Sequence, residues 1–75
     1  MRVTDVRWLA SAPRERLRCA VQVRHHAAPA AAWVEPAGNG IVDVRLDEPA
    51  LGVAPGQAAV FYDAADAVLG GGWIA

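Results

Sequence analysis

Three consecutive glycines, Gly70-Gly71-Gly72, sit inside an otherwise strand-forming run that begins Val68-Leu69 and resumes with Trp73-Ile74. Glycine weakens a strand interior, because it has more backbone freedom to lose and no side chain to pack. A triple therefore demands a local cause: a bulge, a tight barrel bend, or close approach of a neighbouring backbone. Just upstream, the Pro55-Gly56 turn launches the run Gln57 to Asp63, and a short acidic turn reverses it into the glycine-bearing strand.

The same two-residue rhythm runs through the chain. Leu17, Cys19, Val21 and Val23 share one face of a strand, with Arg18, Ala20, Gln22 and Arg24 on the other. Val42, Val44 and Leu46 alternate with Ile41, Asp43 and Arg45. The run 58–62 is apolar on both faces, as expected of a strand covered on both sides or lying at an interface. Proline, glycine and asparagine punctuate these runs at Ala12-Pro13, Ala28-Pro29, Pro36 to Gly40, Glu48-Pro49 and Pro55-Gly56, and Ala64-Ala65-Asp66 adds an acidic turn. Strands are predicted near 2–8, 17–25, 31–35, 41–46, 57–63 and 67–74. Residues 36–40 form the best hairpin turn, with Asn39-Gly40 able to supply positive φ. Residues 47–56 make a longer crossover. Alanine favours helix between Ala27 and Ala32, but Pro29 interrupts a run that is already short. Short strands broken every 8–12 residues indicate a sandwich or barrel. Six of them in 75 residues fit a small closed antiparallel β-barrel, which leaves no exposed edge.

Seventy-five residues allow one small domain with one core, and we expect residues 1–75 to form it. No window approaches the roughly 20 apolar residues of a spanning helix, and the start, Met1-Arg2-Val3-Thr4-Asp5, lacks a signal peptide's apolar stretch. One cysteine cannot close an internal disulfide, so a cytoplasmic protein without a membrane role is the expectation. Charge is unevenly spread. Residues 1–26 carry six arginines against Asp5 and Glu15, whereas residues 27–75 carry Arg45 against six acids. Such polarity can present a basic face to a polyanion. It can equally reflect opposite charges neutralising each other across neighbouring strands.

Taken in order, the pieces resemble a known family. The run Pro55-Gly56-Gln57-Ala58-Ala59-Val60-Phe61-Tyr62-Asp63 followed by Val68-Leu69-Gly70-Gly71-Gly72-Trp73-Ile74 resembles the end of the tRNA-specific 2-thiouridylases, with Trp73 bulkier than the family's residue there. Val3 to Trp8, Cys19 to Arg24, and Val42 to Pro49 with Gly52 to Gln57 resemble the preceding strands of the same region. The resemblance covers the whole chain in outline. It implies the family's carboxyl-terminal barrel, similar to the β-barrels of translation factors, and an excised piece of a larger enzyme. The family's ATP-binding S-G-G-x-D-S loop and its pair of sulfur-handling cysteines are not in this sequence, which has no lysine and only Cys19. The expected chain is therefore inactive alone and holds no cofactor. The resemblance implies that ATP and a persulfide sulfur donor serve the parent enzyme, a transferase that thiolates the wobble uridine of tRNA. It also implies tRNA as a partner, together with the amino-terminal catalytic and central domains.

Candidate site residues follow from that expectation. Arg18, Gln22 and Arg24 share a strand face, and Arg14 and Arg16 lie in the loop that leads into it. Guanidinium groups meet phosphates in forked geometry, and Gln22 offers a donor and an acceptor to a base edge. The competing expectation is a solvated face paired with Asp43 and its neighbours. Trp8, Trp33 and Trp73 are assigned to the core or to a domain interface before base stacking. His25-His26 makes a poor metal site, since neighbours on a strand point to opposite faces and only Cys19 could assist. Asp47-Glu48 and Asp63/Asp66 are read as turn-capping groups, not as a catalytic pair. Gly70-Gly71-Gly72 lacks the lysine and the helix of a phosphate loop. Two roles remain: a weakly binding tRNA-gripping domain, or a structural domain that packs on its catalytic neighbour through the doubly apolar 58–62 strand. A barrel that binds a small ligand is disfavoured, because Val, Leu, Phe and Trp fill so short a chain's core.

Overall fold

In a computed structural model, residues 1–9, 11–23, 28–49 and 53–75 are described. They contain six strands: β1 (Arg2–Trp8), β2 (Leu17–Gln22), β3 (Ala30–Gly38), β4 (Ile41–Leu46), β5 (Ala58–Tyr62) and β6 (Val68–Ile74). All pair antiparallel and close into a barrel in the order β1-β4-β3-β2-β5-β6. The predicted barrel is the one observed, with shifted boundaries. β2 ends at Gln22, and the expected continuation through Arg24 and His25 lies outside the described residues. β3 runs past Pro36 to Gly38, because the register slips between those two residues and a bulge tolerates a residue without an N–H. The hairpin turn is correspondingly tight, with φ of 81° at Gly38, 53° at Asn39 and 71° at Gly40.

Alternation delivers the core. Val3, Val21, Ala32, Val34, Val42, Val44, Ala59 and Phe61 are each no more than 3% exposed, and Val6, Cys19, Val23 and Ile74 complete the interior. Each fully buried Val or Phe contributes roughly 1.5–3 kcal/mol of transfer free energy. Among the described residues Phe61 is the only aromatic ring wholly inside, and Trp8 packs on it with ring centroids 5.4 Å apart.

β1 departs from simple alternation. Val3 and Val6 both face the core although three positions apart, which a strict period of two forbids. Asp5 adopts φ of 51°, and the pairing with β6 slips between Thr4 and Arg7. This bulge turns Val6 inward and lets its N–H donate to the Gly40 carbonyl at 2.9 Å.

The triple glycine has its cause here. β6 lies between β1 and β5, and both neighbours crowd it. A Cβ built on Gly72 would stand 2.5 Å from the Thr4 carbonyl oxygen, and one on Gly71 would stand 2.6 Å from that of Ala59. At Gly70 it would overlap the Arg7 carbonyl. The strand thus alternates its bare faces between two pinching backbones, and register slips flank it on both sides. The expected bulge and the expected close approach occur together, at the seam that closes the barrel.

Candidate nucleic-acid interface

The outer face of β2, β3 and β4 is organised around one tryptophan. Register places Arg18 opposite Trp33 on one side and Arg45 opposite it on the other. Because Ala32 and Val34 point inward, Trp33 must point outward, where it is 36% exposed. The Arg16 guanidinium sits 4.5 Å from the ring centroid and that of Arg18 sits 5.4 Å away, both within cation–π range. Two residues along the same strands, Glu35 pairs with Asp43, and Asp43 with Arg2 of β1. A groove of about 300 Å³ runs between the two rows, lined by Arg16, Trp33, Glu35, Asp43, Val44 and Arg45.

The arginines divide into engaged and available ones. Arg18 grips both carboxylate oxygens of Asp47, and Arg2 holds Asp43 through Nε at 2.9 Å and Nη2 at 3.2 Å. Hydrogen bonding within each pair holds the carboxylates below their ordinary range and raises the guanidiniums above theirs. Among the described residues, Arg7, Arg14, Arg16 and Arg45 have no carboxylate partner.

Of the predicted RNA-contacting residues, the structure gathers Arg16 and Arg18 at Trp33 and leaves Arg14 exposed in the preceding bend. Gln22 shares Arg18's outward parity but lies four residues on, about 13 Å along the strand. There its side-chain oxygen accepts a hydrogen bond from the Tyr62 hydroxyl at 3.1 Å, at the seam with β5. Arg24 lies outside the described residues, as do His25 and His26. The rival expectation of cross-strand neutralisation is also realised, but Asp43 takes Arg2 and Asp47 takes Arg18. Trp33 and Arg45 were not among the predicted RNA contacts. Arg45 belongs to the acidic half of the sequence, and only the β3–β4 register brings it to the basic face. Of the tryptophans assigned to the core or a domain interface, Trp8 packs against the core, whereas the outward parity of Trp33 and Trp73 leaves them 36% and 53% exposed, outside the core and on the outer surface.

Of the carboxylates read as turn caps, Asp63 is one, whereas Asp47 binds the Arg18 guanidinium across β3. Asp63 Oδ1 accepts from the Ala65 and Ala67 N–H groups at 2.8 and 2.9 Å, a turn cap. Cys19 is buried in the core, and desolvation pushes its thiol up against a smaller opposing effect of Arg18. Among the described residues no three metal-ligating side chains converge.

A second surface is apolar. On the outside of β5 and β6, Val60 and Tyr62 are half-buried, while Val68 and Trp73 are 44% and 53% exposed. The both-sided apolar character of 58–62 therefore corresponds to a core face, Ala59 and Phe61, and an outer face, Val60 and Tyr62, that the described residues leave half-buried.

Comparison with known proteins places these features. The profile of the aminomethyltransferase β-barrel domain matches residues 1–74. The tRNA-specific 2-thiouridylase MnmA of Syntrophotalea carbinolica is 53% identical over 74 residues, covering 96% of this chain. The proteins of the same name from Chloroflexus aggregans and Gluconobacter oxydans are 54% and 47% identical, covering 97% and 99% of it. The chain spans 20% of the length of each of these relatives.

Proposed function

Because the chain belongs to the aminomethyltransferase β-barrel domain family, as the carboxyl-terminal barrel of tRNA-specific 2-thiouridylases, we propose that it helps such an enzyme hold its tRNA. The supporting observation is the pair of carboxylate-free guanidiniums, Arg16 and Arg45, flanking the exposed Trp33 on one outer face. Phosphate contacts of this kind give salt-sensitive affinity with little sequence preference. Few arginines take part, so the barrel alone binds weakly and adds to a grip made elsewhere in the enzyme. In this reading, thiolation of the wobble uridine, with its ATP and persulfide sulfur, belongs to the other domains, and the tRNA partner puts the site of action in the cytoplasm.

The test is binding of unmodified tRNA by the 75-residue chain across a salt series. Arg16→Ala and Arg45→Ala are each expected to weaken binding and to lower the salt slope by about one. The double variant Arg2→Ala/Asp43→Ala, which removes a committed guanidinium together with the carboxylate that holds it, is the control expected to change little. Absence of salt-dependent binding, or equal slopes in all variants, refutes the reading.

A second reading rests on a different surface. The partly exposed apolar outer face of Val60, Tyr62, Val68 and Trp73 suits packing against the catalytic and central domains of the parent enzyme. Under it the isolated barrel self-associates, Trp73→Arg suppresses that association, and the arginine variants leave RNA affinity unchanged.

A further inference from the structure

We infer that the Trp33 groove is a site for one unpaired nucleotide, with the base stacked on Trp33 and guanine preferred through Glu35. This deepens the tRNA-holding reading and rests on it for the nature of the polymer. Three features converge. The first is the ring itself: an exposed indole already stacked by guanidiniums is a surface on which another flat, electron-poor group can lie. Arg16, at 4.5 Å, has no carboxylate anchoring it among the described residues, whereas Asp47 holds Arg18. A base can thus displace Arg16 from the ring face while Arg18 stays in place. Duplex bases are stacked on each other and cannot do this, so the site selects single-stranded or looped RNA.

The second feature is the polarity of the groove along the strands. Its Trp33 row carries Arg45 and, beside it, Arg16. The next row carries Glu35 and Asp43. Carboxylates repel a phosphate and guanidiniums attract it, so the nucleotide has one favourable orientation. The phosphate lies with Arg16 and Arg45, and the base edge points to the acidic row. The third feature is which carboxylate is available there. Asp43 is taken by Arg2, while Glu35 has no ion-pair partner among the described residues. A carboxylate accepts only, and guanine alone offers two adjacent donors, N1–H and the 2-amino group, to its two oxygens. Adenine offers one donor beside an acceptor, and uracil one donor between two carbonyls, which Glu35 would face at a repulsive distance.

The experiment uses the 75-residue chain, ¹⁵N-labelled, and follows the indole N–H signals, with Trp33→Phe identifying the relevant one. The probes are uridine heptamers carrying a central guanosine, adenosine or uridine, and a duplex of equal length. The Trp33 signal is expected to shift with the guanosine heptamer, and Trp33→Ala to weaken binding roughly tenfold, with Trp33→Tyr restoring most of it. The guanosine heptamer is expected to bind roughly fivefold tighter than the adenosine one, a preference that Glu35→Gln abolishes. Unchanged melting temperatures of the variants exclude misfolding as the cause. An unmoved Trp33 signal, duplex binding as tight as single-strand binding, or equal guanosine and adenosine affinity overturns the inference. None of these outcomes alters the salt-dependent tRNA binding that tests the arginine reading.

Discussion

Arg18 and Asp47 reach across β3 to clasp each other. Arg18 starts from β2, and Asp47 sits just beyond the end of β4, where its own N–H donates to the Ala31 carbonyl at 3.0 Å. The clasp ties three consecutive strands together on their outer face and holds one guanidinium beside Trp33. Hydrogen bonding to Arg18 keeps Asp47 below its ordinary value in the folded protein. Its contribution to stability is therefore complete above the unfolded carboxylate value of about 4, and it is lost as the pH falls through the lower folded value.

A pH-dependent stability difference follows. Asp47→Asn is expected to melt below the parent protein at pH 7, and the gap to close as the pH is lowered past 4. Calorimetric or circular-dichroism melts across that range check it. A gap that stays constant with pH would show that the carboxylate charge does not matter.

The closing seam predicts unequal costs for two glycines. Gly72→Ala drives a methyl into the Thr4 carbonyl and against Val3 and Val6, and is expected to cost about 1–3 kcal/mol or more. Gly56, with φ of 88° and nothing within 4 Å of its would-be Cβ, meets backbone strain alone, about 1–2 kcal/mol. Denaturant midpoints at constant slope compare the two directly.

Phe61 is the largest fully buried side chain among the described residues. Truncating it to alanine removes about 3–5 kcal/mol, against a total of roughly 4–11 kcal/mol for a chain of this size. Phe61→Ala is expected to populate unfolded chains at 37 °C, while Phe61→Leu stays folded, as near-ultraviolet circular dichroism would register.

Cys19 offers a chemical readout of opening. Burial raises its thiol, so the thiolate is scarce and shielded in the folded state. Labelling by a thiol reagent at pH 8 is expected to proceed only at the rate set by unfolding, and to accelerate in Gly72→Ala. Rapid labelling of the folded parent would contradict the burial.

Much of this architecture was legible in advance, because its signals are local. Alternation at Leu17 to Val23 and at Val42 to Leu46 assigned inward and outward faces correctly, and Pro36 to Gly40 and Pro55-Gly56 marked real turns. The candidate site was only half legible. Arg16 and Arg18 lie where a basic stretch of sequence suggests, but Gln22 belongs to the β5 seam and Trp33 and Arg45 come from elsewhere in the chain.

The sequence by itself determined the strands, the turns, the inward half of nearly every strand and, through its ordered motifs, the family. These depend on neighbours a few residues apart, whose geometry the chain's own chemistry dictates. The tertiary structure alone decided that Asp5 would bulge and turn Val6 inward, and that Arg18, Trp33 and Arg45 would form one row. It also decided that Asp43 and Asp47 would claim Arg2 and Arg18 and leave Arg16 and Arg45 available. A period of two says which side of a sheet a residue faces, not which strand lies beside it. That choice is made by closing the whole barrel, where β1 and β5 press on the three glycines of β6, which have no side chains to resist them.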